Sequence, residues 1–195
     1  MKLIVSRSDF VTSVFEALDN IDTKWHKYNG LILVGTHAPK KNDIEEKIDA
    51  IRKARESGLP FLGICFGFQL MLIEYARNVL GIKEATTKEL YPNTKEPVIA
   101  KLPALRVGIR PVTWQGETRM ESHWHKYAFA RRYAERFSSD WELSFTDGIL
   151  EVARLRDNNF FMGTQFHPEY QSSKSNPHPI LKEFINECKK KHNKI

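Results

Sequence analysis

The chain has 195 residues and a formal net charge of +6, the size of one ordinary domain (1–195) that buries its apolar surface without metal or disulfide staples. Its two cysteines make no disulfide framework, nothing at the N-terminus reads as a cleavable signal, and no apolar run approaches the roughly 20 residues that cross a bilayer. A cytoplasmic protein that meets no membrane is expected; basic residues scattered among acids, not aligned with aromatics, also argue against nucleic acid.

Leu3-Ile4-Val5 is a short apolar run, and Ser8 or Asp9 then caps a helix carrying Phe10, Val14 and Leu18, with Val11 and Phe15 alongside. Gly30 to Val34 is a second buried strand. Asp43 opens a helix with Ile44, Ile48, Ile51 and Ala54 at helical spacing, stopped by Gly58 and Pro60. Phe61 to Ile64 is a third strand, followed by a helical pattern of Phe66, Leu70, Ile73 and Leu80. Continuous apolar strands alternating with amphipathic helices predict an α/β fold, with a mostly parallel central sheet and helices on both faces. Such a sheet places its site at the carboxyl ends of the strands.

Beyond Gly81 the prolines 92, 97, 103 and 111 break the pattern, and Val98 to Val112 reads as loops and strands on a sheet margin. Tyr127 to Phe137 reads as helix. Two strands follow, Leu143 to Phe145 and Leu150 to Leu155, with Asp147-Gly148 as the turn between them. Phe160 to Phe166 is a strand delivering His167. The last helix carries Ile180, Leu181, Phe184, Ile185 and Cys188 on one face, which makes Cys188 a core residue, and Lys189-Lys190-Lys191 reads as its fraying end.

The chemistry concentrates where the third strand meets its helix. Cys65 stands there with Gly63 and Gly67 as second neighbours, in a strand, turn, helix order that lifts a side chain to a helix N-terminus. Free N–H groups and the helix dipole at that position favour a thiolate and later an oxyanion. The glycines supply a positive φ or a close backbone approach. About a hundred residues on, His167-Pro168-Glu169 offers a proton carrier and a carboxylate to orient it: Pro168 keeps His167 out of helix, and an extended segment projects i and i+2 to one side. His123 and His125 without a third ligand make a poor metal site, and no metal or cofactor is expected.

Gly63-Ile64-Cys65-Phe66-Gly67-Phe68-Gln69 together with Gln165-Phe166-His167-Pro168-Glu169 resembles the class I glutamine amidotransferases, whose fold is flavodoxin-like. Phe61 to Leu90, Phe166 to Leu181 and His123-Trp124-His125-Lys126-Tyr127 are most similar to the glutaminase domain of the CTP synthases. The resemblance implies a Cys65, His167 and Glu169 triad acting on glutamine, with the Phe66 N–H as one oxyanion donor. It implies that Gln69 and Glu89 hold the α-amino end of glutamine. Lys126 stands where the family has an arginine for the α-carboxylate, keeping the charge but losing the bidentate fork.

The family loop Pro-Gly-Gly-Phe-Gly, which carries the second oxyanion donor, is replaced by Val34-Gly35-Thr36-His37-Ala38-Pro39. Gly35, Thr36 or His37 then has to supply that N–H. No synthetase part is recognised, so an ammonia-accepting synthetase or an activating protein is the implied partner. Two other readings stay open: a γ-glutamyl hydrolase with a larger substrate, and a binding or regulatory module whose oxyanion hole is unformed.

Overall fold

The computed structural model describes residues 4–5 and 10–193. The proposed caps Ser8 and Asp9 lie outside the described residues; α1 (Val11–Ile21) starts at Phe10 without a side-chain cap. Strands β1 (Ile4–Val5), β2 (Leu31–Leu33) and β3 (Phe61–Ile64) alternate with α1 and α2 (Ile44–Glu56). Helix α3 (Phe66–Asn78) leaves β3 directly, and Leu80 lies beyond its end. After β4 (Thr86–Thr87) come the long strands β5 (Pro97–Trp114) and β6 (Glu117–Phe129), then α4 (Ala134–Ser138). The chain closes with β7 (Trp141–Thr146), β8 (Ile149–Leu155), β9 (Phe161–Thr164) and α5 (Pro179–His192).

The main sheet has six strands in the order β1-β2-β3-β9-β8-β7. It is parallel from β1 to β9 and antiparallel across β9, β8 and β7, so the sheet is mixed rather than purely parallel. Period-two alternation explains why its inner strands read as unbroken apolar runs. Leu31, Leu33 and Phe61 pack with α2 and α3 on one face, while Ile32, Val34, Leu62 and Ile64 pack with α1 and α5 on the other. Cys188 belongs to that second cluster and is fully buried. The Asp147-Gly148 turn forms as read, with φ of 51° and 76°, both left-handed as a two-residue hairpin turn requires.

The middle of the chain departs from the expectation. Residues 97–114 are one strand of a second, three-stranded sheet, β4-β5-β6. Pro103 falls in the irregular register between Lys101 and Arg106, and a bulge tolerates a residue with no N–H to give. Tyr127, Ala128 and Phe129 are strand, not helix, because they pair with Lys101, Ala100 and Ile99; helix begins only with the 3-10 turn Arg131–Tyr133 and α4. The ribbon is also inverted in polarity. Glu121, His123 and His125 are buried, whereas Leu105, Val107, Ile109, Met120 and Trp124 are exposed.

The basic run Lys189-Lys190-Lys191 lies within the last helix. Helix α5 runs to His192, Lys189 pairs with Asp22 at 2.6 Å, and Lys191 Nζ donates to the Ser57 carbonyl at 3.1 Å. Among the described residues no helix is long and apolar enough to cross a membrane.

Candidate active site

Cys65 is the N-cap of α3 with φ 52° and ψ −104°, a left-handed conformation that a non-glycine residue adopts only when its surroundings impose it. Its N–H donates to the Thr164 carbonyl of β9 at 2.8 Å, and its own carbonyl accepts from Gln69 N at 3.1 Å. The flanking glycines serve close approach, since neither has a positive φ. A Cβ on Gly67 would sit 1.9 Å from the Leu33 oxygen, and one on Gly63 would sit 2.8 Å from the Gly67 oxygen. Helix α3 therefore starts almost in contact with the sheet, and Cys65 sits at the carboxyl end of the interior strand β3.

His167 follows β9 with φ −106° and ψ 89° and is held by its N–H donating to the Ser122 carbonyl of β6 at 2.9 Å. Its Nδ1–H donates to Glu169 Oε1 at 2.7 Å. Glu169 reaches the ring from inside a 3-10 turn, Pro168–Gln171, and not along an extended segment. That bond leaves Nε2 as the ring nitrogen open to a second partner. Nε2 is buried and makes no well-formed hydrogen bond among the described residues, yet the Cys65 sulfur is its neighbour. Burial disfavours charge on the ring, but that sulfur and the Glu169 carboxylate outweigh it and raise the His167 pKa to about 10. Cys65 and His167 also flank Gly35: a Cβ there would meet His167 Cε1 at 3.1 Å and Cys65 Cβ at 3.2 Å.

Phe66 opens α3, so its N–H is among those a helix leaves without an internal acceptor. Gly35 is buried beside the Cys65 Cβ and Thr36 is half-buried, its Oγ1 accepting from Ala38 N at 3.2 Å. His37 is exposed and packs against Phe10 at a tilt, 4.6 Å between ring centres, and Phe10 in turn lies 4.6 Å from His167; Trp124 meets His37 edge-on at 5.4 Å. Aromatic rings from three segments thus form a chain of contacts that ends on His167.

Gln69 is buried, with Nε2 donating to the Tyr127 carbonyl at 2.9 Å and to Gln165 Oε1 at 3.3 Å. Its Oε1 is left as a buried acceptor without a partner among the described residues. Glu89 is half-buried, which raises its carboxyl pKa, and lines a cleft of about 550 Å³ with Lys101, Tyr127 and Arg132. Lys126 is exposed on β6, without an ion pair among the described residues. His123 and His125 are engaged elsewhere: His123 with Glu151 at 3.1 Å, and His125 through Nδ1–H to the Tyr127 carbonyl at 3.0 Å.

The backbone of strand β6 is the part of the site that sequence reasoning missed. Its carbonyls at Ser122, Trp124 and Tyr127 touch His167, Cys65 and Gln69 in turn. Backbone groups carry no residue signature, so no motif announces them. Gln165 was equally overlooked, although it sits two residues before His167 in a run already singled out.

A cysteine at a left-handed elbow beside a carboxylate-oriented histidine is equipped for acyl transfer. Residues 5–187 match the family Glutamine amidotransferase class-I, and the chain belongs to that family. Its relatives include the CTP synthase of Archaeoglobus fulgidus, 39% identical over 194 residues that cover 87% of this chain and 36% of that protein. The CTP synthase of Clostridium acetobutylicum is 34% identical over 191 residues, 86% of this chain and 35% of that protein. The chain spans about a third of the length of these relatives. Among solved structures, the Trypanosoma brucei CTPS glutaminase domain with bound acivicin shares the fold, with a TM-score of 0.84 at 19% identity over 97% of this chain and 93% of that one.

Proposed function

We propose that this chain is a single glutaminase-like domain that releases ammonia from glutamine or a related γ-glutamyl amide. The observation that carries the reading is the strained Cys65 elbow set beside a His167 ring tethered to Glu169. Cys65 Sγ attacks the side-chain carbonyl carbon as His167 takes up the thiol proton. The Phe66 N–H, with one from Gly35 or Thr36, holds the tetrahedral oxygen. Carbon–nitrogen cleavage follows, and His167 Nε2 passes its proton to the departing amine. Water then hydrolyses the thioester to glutamate and regenerates the thiol. Gln69 Oε1 and Glu89 are the acceptors for the α-ammonium, and Lys126 faces the α-carboxylate.

Because the CTP synthase relatives are about three times longer, an ammonia-accepting synthetase or activating protein is the partner this reading calls for. A second reading, a γ-glutamyl hydrolase with a larger leaving amine, is favoured by the Trp124, His37 and Phe10 rings that cover the His167 side.

Glutamate release from glutamine and from N-alkyl and N-aryl γ-glutamyl amides, with Cys65→Ala as control, tests both. Cys65-dependent turnover of glutamine supports the first reading, and turnover of substituted amides alone supports the second. No Cys65-dependent turnover on any amide, together with no covalent trapping by a glutamine-like electrophile, leaves a binding or regulatory module.

A further inference from the structure

The sulfur of Cys65 has a side-chain donor that the three-residue triad leaves out. Gln165 is fully buried, and its Nε2 lies 3.8 Å from Sγ. The orientation of that amide follows from its neighbours. The Tyr127 carbonyl can only accept, so the Gln69 atom 2.9 Å from it is Nε2, and the same Nε2 lies 3.3 Å from Gln165 Oε1. Turning Gln165 over would set two amide NH₂ groups against each other and an oxygen against the sulfur. Gln165 therefore keeps an N–H on Sγ. The Trp124 carbonyl, 3.7 Å from the sulfur on another side, has the opposite preference, because it accepts from S–H and holds the neutral thiol.

The geometry points to Gln165 as a catalytic residue that stabilises the Cys65 thiolate against the Trp124 carbonyl, with Gln69 as the positioning residue that locks the Gln165 amide. This deepens the reading of Cys65 as nucleophile and rests on it. The same N–H serves twice, favouring the anionic sulfur before attack and again when the thioester breaks and the thiolate departs.

The test is the rate of Cys65 alkylation by iodoacetamide as a function of pH, read at the Cys65 peptide by mass spectrometry so that Cys188 does not contribute. Gln165→Met keeps the length of the side chain and removes the donor; the midpoint of its pH–rate curve should rise by about one to two pH units, the equivalent of a hydrogen bond to a charged group. Gln69→Met should move the midpoint in the same direction by less. A merely structural role would lower the unfolding midpoint and leave the alkylation midpoint where it was. A folded Gln165→Met protein with the parent's alkylation midpoint overturns the assignment. If that variant does not fold, an unmoved midpoint in Gln69→Met overturns it, as does a Cys65 that alkylates at no pH. Alkylation needs no turnover, so a protein that alkylates as expected but hydrolyses no γ-glutamyl amide refutes the proposed function and leaves only the Gln165 contact with the thiolate standing.

Discussion

Substituting alanine for Gly67 tests whether close helix–sheet approach builds the elbow. Gly67 is the second residue of α3, and a Cβ there falls 1.9 Å from the Leu33 oxygen and 2.6 Å from its carbonyl carbon. Ordinary contact begins near 3.4 Å, so the overlap is about 1.5 Å against backbone. Neither partner yields readily: Leu33 is registered against Gly63 in the sheet, and α3 is buried continuously from Phe66 to Ala76. The cost should reach the upper end of the overpacking range, about 3 kcal/mol. For a chain this long that lowers Tm by about 6–12 °C. Cys65 caps the displaced helix, so its alkylation profile should change as well. Gly81→Ala is the comparison: φ is +70° with nothing within 4 Å, and left-handed strain alone costs about 1–2 kcal/mol. Urea unfolding monitored by circular dichroism measures both. A Gly67→Ala protein within about 0.5 kcal/mol of the parent, the range of neutral surface changes, would refute the reasoning.

Two further outcomes concern buried charge. His125 is buried and its pKa is lowered, by burial first, to about 3; the unfolded chain takes up that proton near pH 6.5, so stability is lost as pH falls from about 6.5 towards 3. His125→Asn retains a donor for the Tyr127 carbonyl without the titration, so its urea midpoint should drop less than the parent's between about pH 7 and about pH 5; equal drops count against the explanation. Arg55 and the fully buried Glu74 pair at 2.8 Å. Arg55→Ala should cost about 3–5 kcal/mol by stranding that carboxylate, and Arg55→Met with Glu74→Leu should recover most of it. A single-variant loss below about 1 kcal/mol would mean that the pair behaves as a surface one.

Much of the main sheet was legible because local rules write it. Ile32 and Leu62 alternate with Leu31 and Phe61 across two buried faces, and the resulting apolar runs between amphipathic helices have few other uses. Asp147-Gly148 announced its own turn for the same reason. The second sheet was not legible, because Pro103 reads as a terminator until a bulge accommodates it. Tyr127 to Phe129 has no strand signature stronger than its helical one, and pairing with residues 99–101 decided the matter.

From residues alone, the chain determined its alternating α/β order, its nucleophile candidate at Cys65, the His167 and Glu169 pair, and the core position of Cys188. These depend on periodicity, turn sterics and neighbours within a few residues. Tertiary structure alone decided that Cys65 itself takes the left-handed conformation while its glycines permit contact. It also decided that β6 carbonyls line the site, and that Gln69 meets Gln165 across 96 residues of sequence. Contacts made through backbone atoms, or between groups far apart in the chain, leave no local pattern; they exist only once the strands that carry them have packed.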